Sequence, residues 1–199
     1  MVDCRIKRIE PQEYDAARRL DREAFGCNER GSDPDLHEVF ADNVRRSPYY
    51  LPGLDLVAVT SDGLMLGHAI FSALPMGDGG EHVVWLNSLA VRHGQNDDHT
   101  LKTYEYQRKG IGTAIVRHAL VVARRLGYTG CMTCGHPAVY RDKMGFNDYR
   151  ELGIAKDDTV DDPDLAIHAI ELVPDGFGQT SKLLSYSYYD FTKVGGVQP

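Results

Sequence analysis

Between Tyr106 and Ile115 the chain runs from polar and basic residues through two glycines straight into a helical pattern: Tyr106-Gln107-Arg108-Lys109-Gly110-Ile111-Gly112-Thr113-Ala114-Ile115. Ile111, Ile115, Ala119, Val122 and Leu126 then recur every three or four residues, which predicts a helix with one apolar face. Arg124 and Arg125 followed by Gly127 predict its C-terminus. The glycines therefore stand where a helix begins, with backbone N–H groups lacking intrahelical partners and a positive dipole end. Without a Cβ they let a large anion approach the backbone. Each charge-assisted hydrogen bond made there is worth roughly 1.5–3 kcal/mol, so a few of them hold a diphosphate. The segment is neither a mononucleotide loop, which needs Gly-x-x-x-x-Gly-Lys-Ser/Thr, nor a dinucleotide fingerprint, which needs a third glycine where Ile115 stands.

What fits is Gln/Arg-x-x-Gly-x-Gly/Ala, read as Gln107-Arg108-Lys109-Gly110-Ile111-Gly112. Upstream, Val83-Val84-Trp85-Leu86-Asn87-Ser88-Leu89-Ala90-Val91 reads as a buried strand. Downstream come a short strand from Gly130 to Gly135 and a short helical segment ending in Met144-Gly145-Phe146. In this order the chain resembles the GNAT superfamily of N-acetyltransferases. The loop is similar to its coenzyme A pyrophosphate loop, Leu89-Ala90-Val91 to the strand end before it, and Tyr140 to Phe146 to its Tyr-x-x-x-Gly-Phe segment. Ala169-Ile170-Glu171-Leu172-Val173-Pro174 with Gly178, Tyr186 and Phe191 resembles the closing segment of the YhbS-like branch. The likeness spans roughly residues 3–191.

The resemblance implies an α/β (α+β mixed) acyl-CoA N-acyltransferase fold, with a central mixed, mostly antiparallel sheet splayed at the coenzyme site. It implies acetyl-CoA as co-substrate, no metal, and a small-molecule or protein amine as acceptor. Coenzyme contacts are expected from Leu89, Ala90, Val91, Gln107, Arg108, Lys109, Gly110, Ile111, Gly112 and Thr113.

With 199 residues, 42% hydrophobic and 26% charged, the chain suits a single domain spanning 1–199. No apolar run is long enough for a membrane span. The charged, alternating start (Met1-Val2-Asp3-Cys4-Arg5-Ile6-Lys7) is unlike a signal peptide, and four scattered cysteines predict reduced thiols in a cytoplasmic setting. The net charge of −7 argues against a nucleic-acid partner and suits a cationic amine. A homodimer is left open.

The remaining pattern predicts strands over Cys4–Ile9, Leu54–Val59, Leu64–Phe71, Val83–Val91, Gly130–Gly135, Ala166–Leu172 and Leu184–Tyr189. Helices are predicted over Glu13–Phe25, around Leu36–Arg46, and near Ala138–Met144. Ser61-Asp62-Gly63 marks a hairpin turn. Arg92 to Tyr104 is a polar insertion, either a solvated loop or a cover for the coenzyme. Lys156 to Asp164 carries five carboxylates without a calcium-loop pattern, either a solvated loop or an acidic lip for a cation. Cys131 and Cys134 fall three apart in a strand, on opposite faces, and read as buried structural cysteines.

Acyl transfer from a thioester to an amine needs a neutral amine, a donor for the developing oxyanion, and a proton for the departing thiolate. Neutralising a lysine-like amine of pKa about 10.4 at pH 7 costs roughly 4–5 kcal/mol. The likeness places the oxyanion donor at a backbone N–H near Leu89–Val91 and the thiolate's proton donor at Tyr140. Here Tyr140 lies one residue further from Gly145-Phe146 than is usual, and such a shift turns a helical side chain by about 100°. Packing and catalysis are both open for Tyr140. Asn87 and Ser88 are placed to hold a water for the base; Glu81, His82 and Glu23 stand as further options, and no spacing selects among them. The functional expectation is acetyl transfer to a primary amine by direct attack in a ternary complex. The alternatives are a non-catalytic acyl-CoA-binding module and transfer of a longer acyl group.

Overall fold

The computed structural model describes residues 3–25, 34–76, 82–94, 105–156, 166–178 and 183–184. Its strands are β1 (Arg5–Arg8), β2 (Tyr50–Val59), β3 (Met65–Leu74), β4 (Val83–Val91), β5 (Gly130–Cys134), β6 (Asn147–Asp148), β7 (Ala155–Lys156), β8 (Ile167–Glu171) and β9 (Leu183–Leu184). The helices are α1 (Tyr14–Phe25), α2 (Pro34–Arg46), α3 (Ile111–Arg125) and α4 (Pro137–Met144). A seven-stranded sheet runs β1-β2-β3-β4-β5-β8-β6. Its pairings are antiparallel except β4 with β5, which are parallel and joined through α3. The short β7 and β9 pair separately.

Strand alternation sorts the core onto two faces. Leu56, Ala58, Ala69, Phe71, Val84 and Leu86 pack with Ile111, Ile115, Val116 and Ala119 of α3. Val57 and Val59 pack with Ala17 and Leu20 of α1, while Ile70, Val83 and Trp85 pack with Ala41 and Val44 of α2. The apolar stripe of α3 explains why it can lie flat on the sheet, and Gly67 lets it come close. A Cβ at Gly67 would stand 2.7 Å from Ile115 Cδ1.

β2 begins four residues before the expected Leu54, at Tyr50. Pro52 and Gly53 signal a break, but the strand accommodates them in an irregular stretch between Tyr50 and Asp55 of its pairing with β3. The expected hairpin turn is present, with Gly63 N–H donating to Thr60 O at 3.1 Å. Cys131 lies in the α3-side core and Cys134 against the α2-side core, on opposite faces as their spacing predicts, with Cys134 only half-buried. Of the remaining expectations, Glu81, most of the Arg92–Tyr104 insertion, the acidic run after Lys156, the strand beyond Leu184, and Tyr186 and Phe191 lie outside the described residues.

Candidate active site

β4 is the strand on which the site is built. Its register with β3 shifts between Ile70↔Ser88 and Phe71↔Leu86, leaving Asn87 as an extra, bulged residue. Parallel pairing with β5 stops at Leu86↔Thr133, although β4 continues to Val91. The two strands therefore part beyond Thr133, whose hydroxyl donates to Leu86 O at 3.1 Å at the vertex of the opening. Gln107 Nε2 donates to Val91 O at 3.1 Å, so that carbonyl faces the opening. The two-residue period of a strand turns the Leu89 N–H and C=O the same way.

α3 begins at Ile111 behind Gly110, which adopts φ +87°, and Arg108 is also left-handed at φ +57°. The first helical bond runs from Ala114 N–H to Gly110 O, so the N–H groups of Ile111, Gly112 and Thr113 precede the helical ladder. These groups border a groove of about 520 Å³. Its lining includes Leu89, Val91, Gln107, Arg108, Gly110, Ile111, Gly112 and Thr113, eight of the residues from which coenzyme contacts are expected. The side chain of Ala90 is instead buried on the α1 face, and Lys109 is exposed beside the loop. Sequence reasoning missed the other walls, Ala24 and Phe25 of α1 and Val139, Lys143 and Met144 of α4. Gly112 matters by proximity: a Cβ there would lie 3.3 Å from Val91 Cγ2.

Tyr140 sits on α4, which His136 caps through its Nδ1 and Gly145 closes in a left-handed conformation. Its ring stacks on His168 (centroids 5.7 Å apart) and meets Phe146 edge-on (5.9 Å). Burial pushes the phenol up to about 12, against a smaller opposing effect from its hydrogen bond with Thr133. The neighbouring Val139 and Lys143 face the groove. His168, a residue no motif flagged, is almost wholly buried; its Nε2 bonds Gly135 O at 2.9 Å and its Nδ1 has no partner.

Asn87 Nδ2 donates to Ser72 Oγ at 3.0 Å and to Trp85 O at 3.2 Å. Because a carbonyl only accepts, the second bond fixes the amide's orientation and leaves Oδ1 as a buried acceptor without a partner. Ser88 is buried next to it. Glu23 is engaged elsewhere, taking Arg92 Nη1 at 3.2 Å and the His93 N–H at 3.1 Å. His82 is exposed, and its carbonyl accepts from Thr129.

A buried charge network behind the site also escaped the sequence reading. His68 of β3 is fully buried, with Nδ1 2.9 Å from Asp21 Oδ2 and Nε2 3.0 Å from Asp55 Oδ1. Asp55 Oδ2 further takes Arg45 Nε at 2.8 Å and the Tyr50 hydroxyl at 2.9 Å. Arg45 continues to Asp42 at 2.9 Å and lies over the Tyr14 ring. Burial opposes charge on His68, but the two carboxylates outweigh it and raise its pKa to about 9. Asp55 is held below the usual carboxylate range: its burial works the other way and is overcome by His68 and Arg45.

The acetyltransferase (GNAT) family model matches residues 14–146, from the start of α1 to Phe146, just before β6. This chain belongs to the GNAT acetyltransferase family. It is thereby an acyl-CoA-dependent N-acetyltransferase by class. No curated protein sequence is a significant match. Among solved structures, the chain is similar to the GNAT family N-acetyltransferase YhbS of Escherichia coli in complex with CoA, at 20% identity and TM-score 0.75, covering 98% of this chain and 95% of that one. It is also similar to a GNAT acetyltransferase of Brucella melitensis in complex with acetyl-CoA, at 24% identity and TM-score 0.64, covering 88% and 92%. The ribosomal-protein-S18-alanine N-acetyltransferase of Escherichia coli follows at 19% identity and TM-score 0.53, covering 85% and 94%. These likenesses carry the GNAT fold, the mixed and mostly antiparallel sheet with helices on both faces. Among the described residues no helix is long and apolar enough to cross a membrane.

Proposed function

We propose that this GNAT protein binds acetyl-CoA in the groove between α3, β4 and α4 and passes its acetyl group to a primary amine by direct attack. The observation that carries the reading is one wall of that groove. It joins the uncapped N–H groups at the start of α3 to the opened edge of β4. The pyrophosphate meets the N–H groups of Ile111, Gly112 and Thr113, with Arg108 and Lys143 adding positive charge at the groove and Lys109 beside the loop. The pantetheine arm then lies along Leu89 and Val91, pairing with the strand edge that β5 leaves open. Structures of GNAT proteins with CoA or acetyl-CoA bound support this choice of ligand.

In the transfer, the neutral amine's lone pair forms the C–N bond at the thioester carbonyl. The Leu89 N–H faces the developing oxyanion from the open side of β4. The C–S bond then breaks, and Tyr140, protonated at neutral pH, gives its proton to the thiolate. The proton leaving nitrogen restores Tyr140, directly or through water. Asn87 Oδ1 is an acceptor fixed at the bulge, suited to hold that water. The acceptor is a small-molecule or protein amine, and a cytoplasmic enzyme with no nucleic-acid partner fits the acidic composition.

Release of free thiol from acetyl-CoA in the presence of a panel of primary amines tests the reading. Thiol release that rises with at least one amine supports transfer. Binding of acetyl-CoA without thiol release from any amine would replace it with the non-catalytic binding module.

A further inference from the structure

His68 stands behind the groove and touches nothing in it, yet four elements converge on its ring. Asp21 comes from α1, Asp55 and Tyr50 from β2, Arg45 from α2, and β4 presents the apolar Ala90 opposite it. Tyr14 of α1 and Asp42 of α2 close the cluster around Arg45. Nδ1 faces Asp21, and Nε2 lies 3.0 Å from Asp55 Oδ1, nearer than Arg45 Nη2 at 3.4 Å, so a ring protonated at both nitrogens donates to a carboxylate on each side. With His68 charged, it and Arg45 balance Asp21 and Asp55 inside the core. With His68 neutral, a buried carboxylate is left uncompensated, an expensive arrangement.

The place of Asp21 gives this charge a consequence. Glu23, Ala24 and Phe25 follow it on the last turn of α1, and Ala24 and Phe25 form one of the two walls of the groove that the coenzyme loop does not supply, α4 forming the other. Glu23 fastens the same turn to the end of β4 through Arg92 and the His93 N–H. The two fastenings differ in kind: the Glu23 contacts are partly exposed, whereas His68–Asp21 is sealed from water.

We propose that His68 is a positioning residue, whose doubly protonated ring, clamped between Asp21 and Asp55, sets the C-terminal half of α1 as the far wall of the coenzyme groove. Its coenzyme consequence rests on the groove being the coenzyme site, but its effect on α1 does not. Loss of the ring proton releases Asp21, α1 shifts, and the groove loses the Phe25 wall. The proton is held well above the ordinary histidine range, so the clamp is intact at neutral pH and opens in alkali.

The test reads the full chain by methyl NMR at Ala17, Leu20 and Ala24, and the His68 ring by nitrogen-15 shifts, between pH 7.5 and 10.5 without ligand. In parallel, the dissociation constant of desulfo-CoA, which lacks a titrating thiol, is followed over the same range. The α1 methyls should move with the His68 ring, at a midpoint near 9, and desulfo-CoA should bind about tenfold more weakly at the alkaline end. His68→Gln alone strands a buried carboxylate and risks unfolding. The double variant Asp21→Asn/His68→Gln removes one charge of each sign, and in it the transition near 9 should vanish from both readouts. Stationary α1 methyls in the wild type, or the same transition in the double variant, would overturn the proposal. Failure of desulfo-CoA to bind at pH 7.5 would strike the coenzyme site instead, and the α1 methyls would still decide the role of His68.

Discussion

Asn87 on β4 and Tyr140 on α4 are the two residues proposed for the chemistry, and they differ because their surroundings do. Asn87 is the bulged residue of β4, and its amide has spent both donors, leaving one fixed acceptor. Tyr140 is raised to about 12 by burial, so it stays a proton donor across the neutral range. The extra residue between Tyr140 and Gly145 has not turned the ring to solvent. It packs between His168 and Phe146. If its hydroxyl protonates the thiolate, Tyr140→Phe lowers the turnover rate by roughly 10²–10⁴-fold and leaves the acetyl-CoA dissociation constant almost unchanged. Steady-state kinetics beside calorimetric titration separates the two. Normal turnover with a lower melting temperature would make Tyr140 a packing residue.

At the scale of elements, the site exists because β4 outruns β5 and α3 starts against the exposed part. Gln107 links the two, its amide holding the Val91 carbonyl while its backbone leads into the left-handed Arg108. Gln107→Ala removes that tie without touching the core. It should weaken acetyl-CoA binding by roughly 3–10-fold and cost about 1 kcal/mol or less in stability. Calorimetry and a denaturant titration measure the two effects; unchanged affinity would mean that the packing of Ile111 alone holds the loop. Much of this was legible in the sequence. The glycines mark the start of α3 because helix entry and anion approach both demand small residues, and β4 reads as a strand over its full length, Val83–Val91. The bulge at Asn87 is invisible there, because a register shift depends on the partner strand and not on local pattern.

Across the whole molecule the same limit hides His68. It sits within an apolar strand, 47 residues from Asp21 and 13 from Asp55, and only folding brings the three together. The groove walls from α1 and α4 were illegible for the same reason. The network has a pH signature for the entire fold. His68 is raised from an ordinary 6.5 to about 9, so its contribution is complete below about 6.5 and disappears as pH rises through 9. Asp55, held low, contributes above its ordinary value of 3.8 and loses that contribution as pH falls below it. Denaturant unfolding should therefore show a loss on the order of 1–3 kcal/mol between pH 7.5 and 10, and a much smaller loss in Asp21→Asn/His68→Gln. Equal losses in both proteins would place the alkaline sensitivity elsewhere. The groove itself is tested most directly by melting the protein with and without acetyl-CoA, beside Gly112→Val. A ligand at 100 times its dissociation constant stabilises by about 2.7 kcal/mol, which raises the melting temperature of a chain this size by roughly 5–10 °C. The wild type should show that rise. Gly112→Val, whose added methyls crowd Val91 and the mouth of the groove, should fold and show almost none. No rise in the wild type, or the same rise in both proteins, would contradict a coenzyme site at the start of α3.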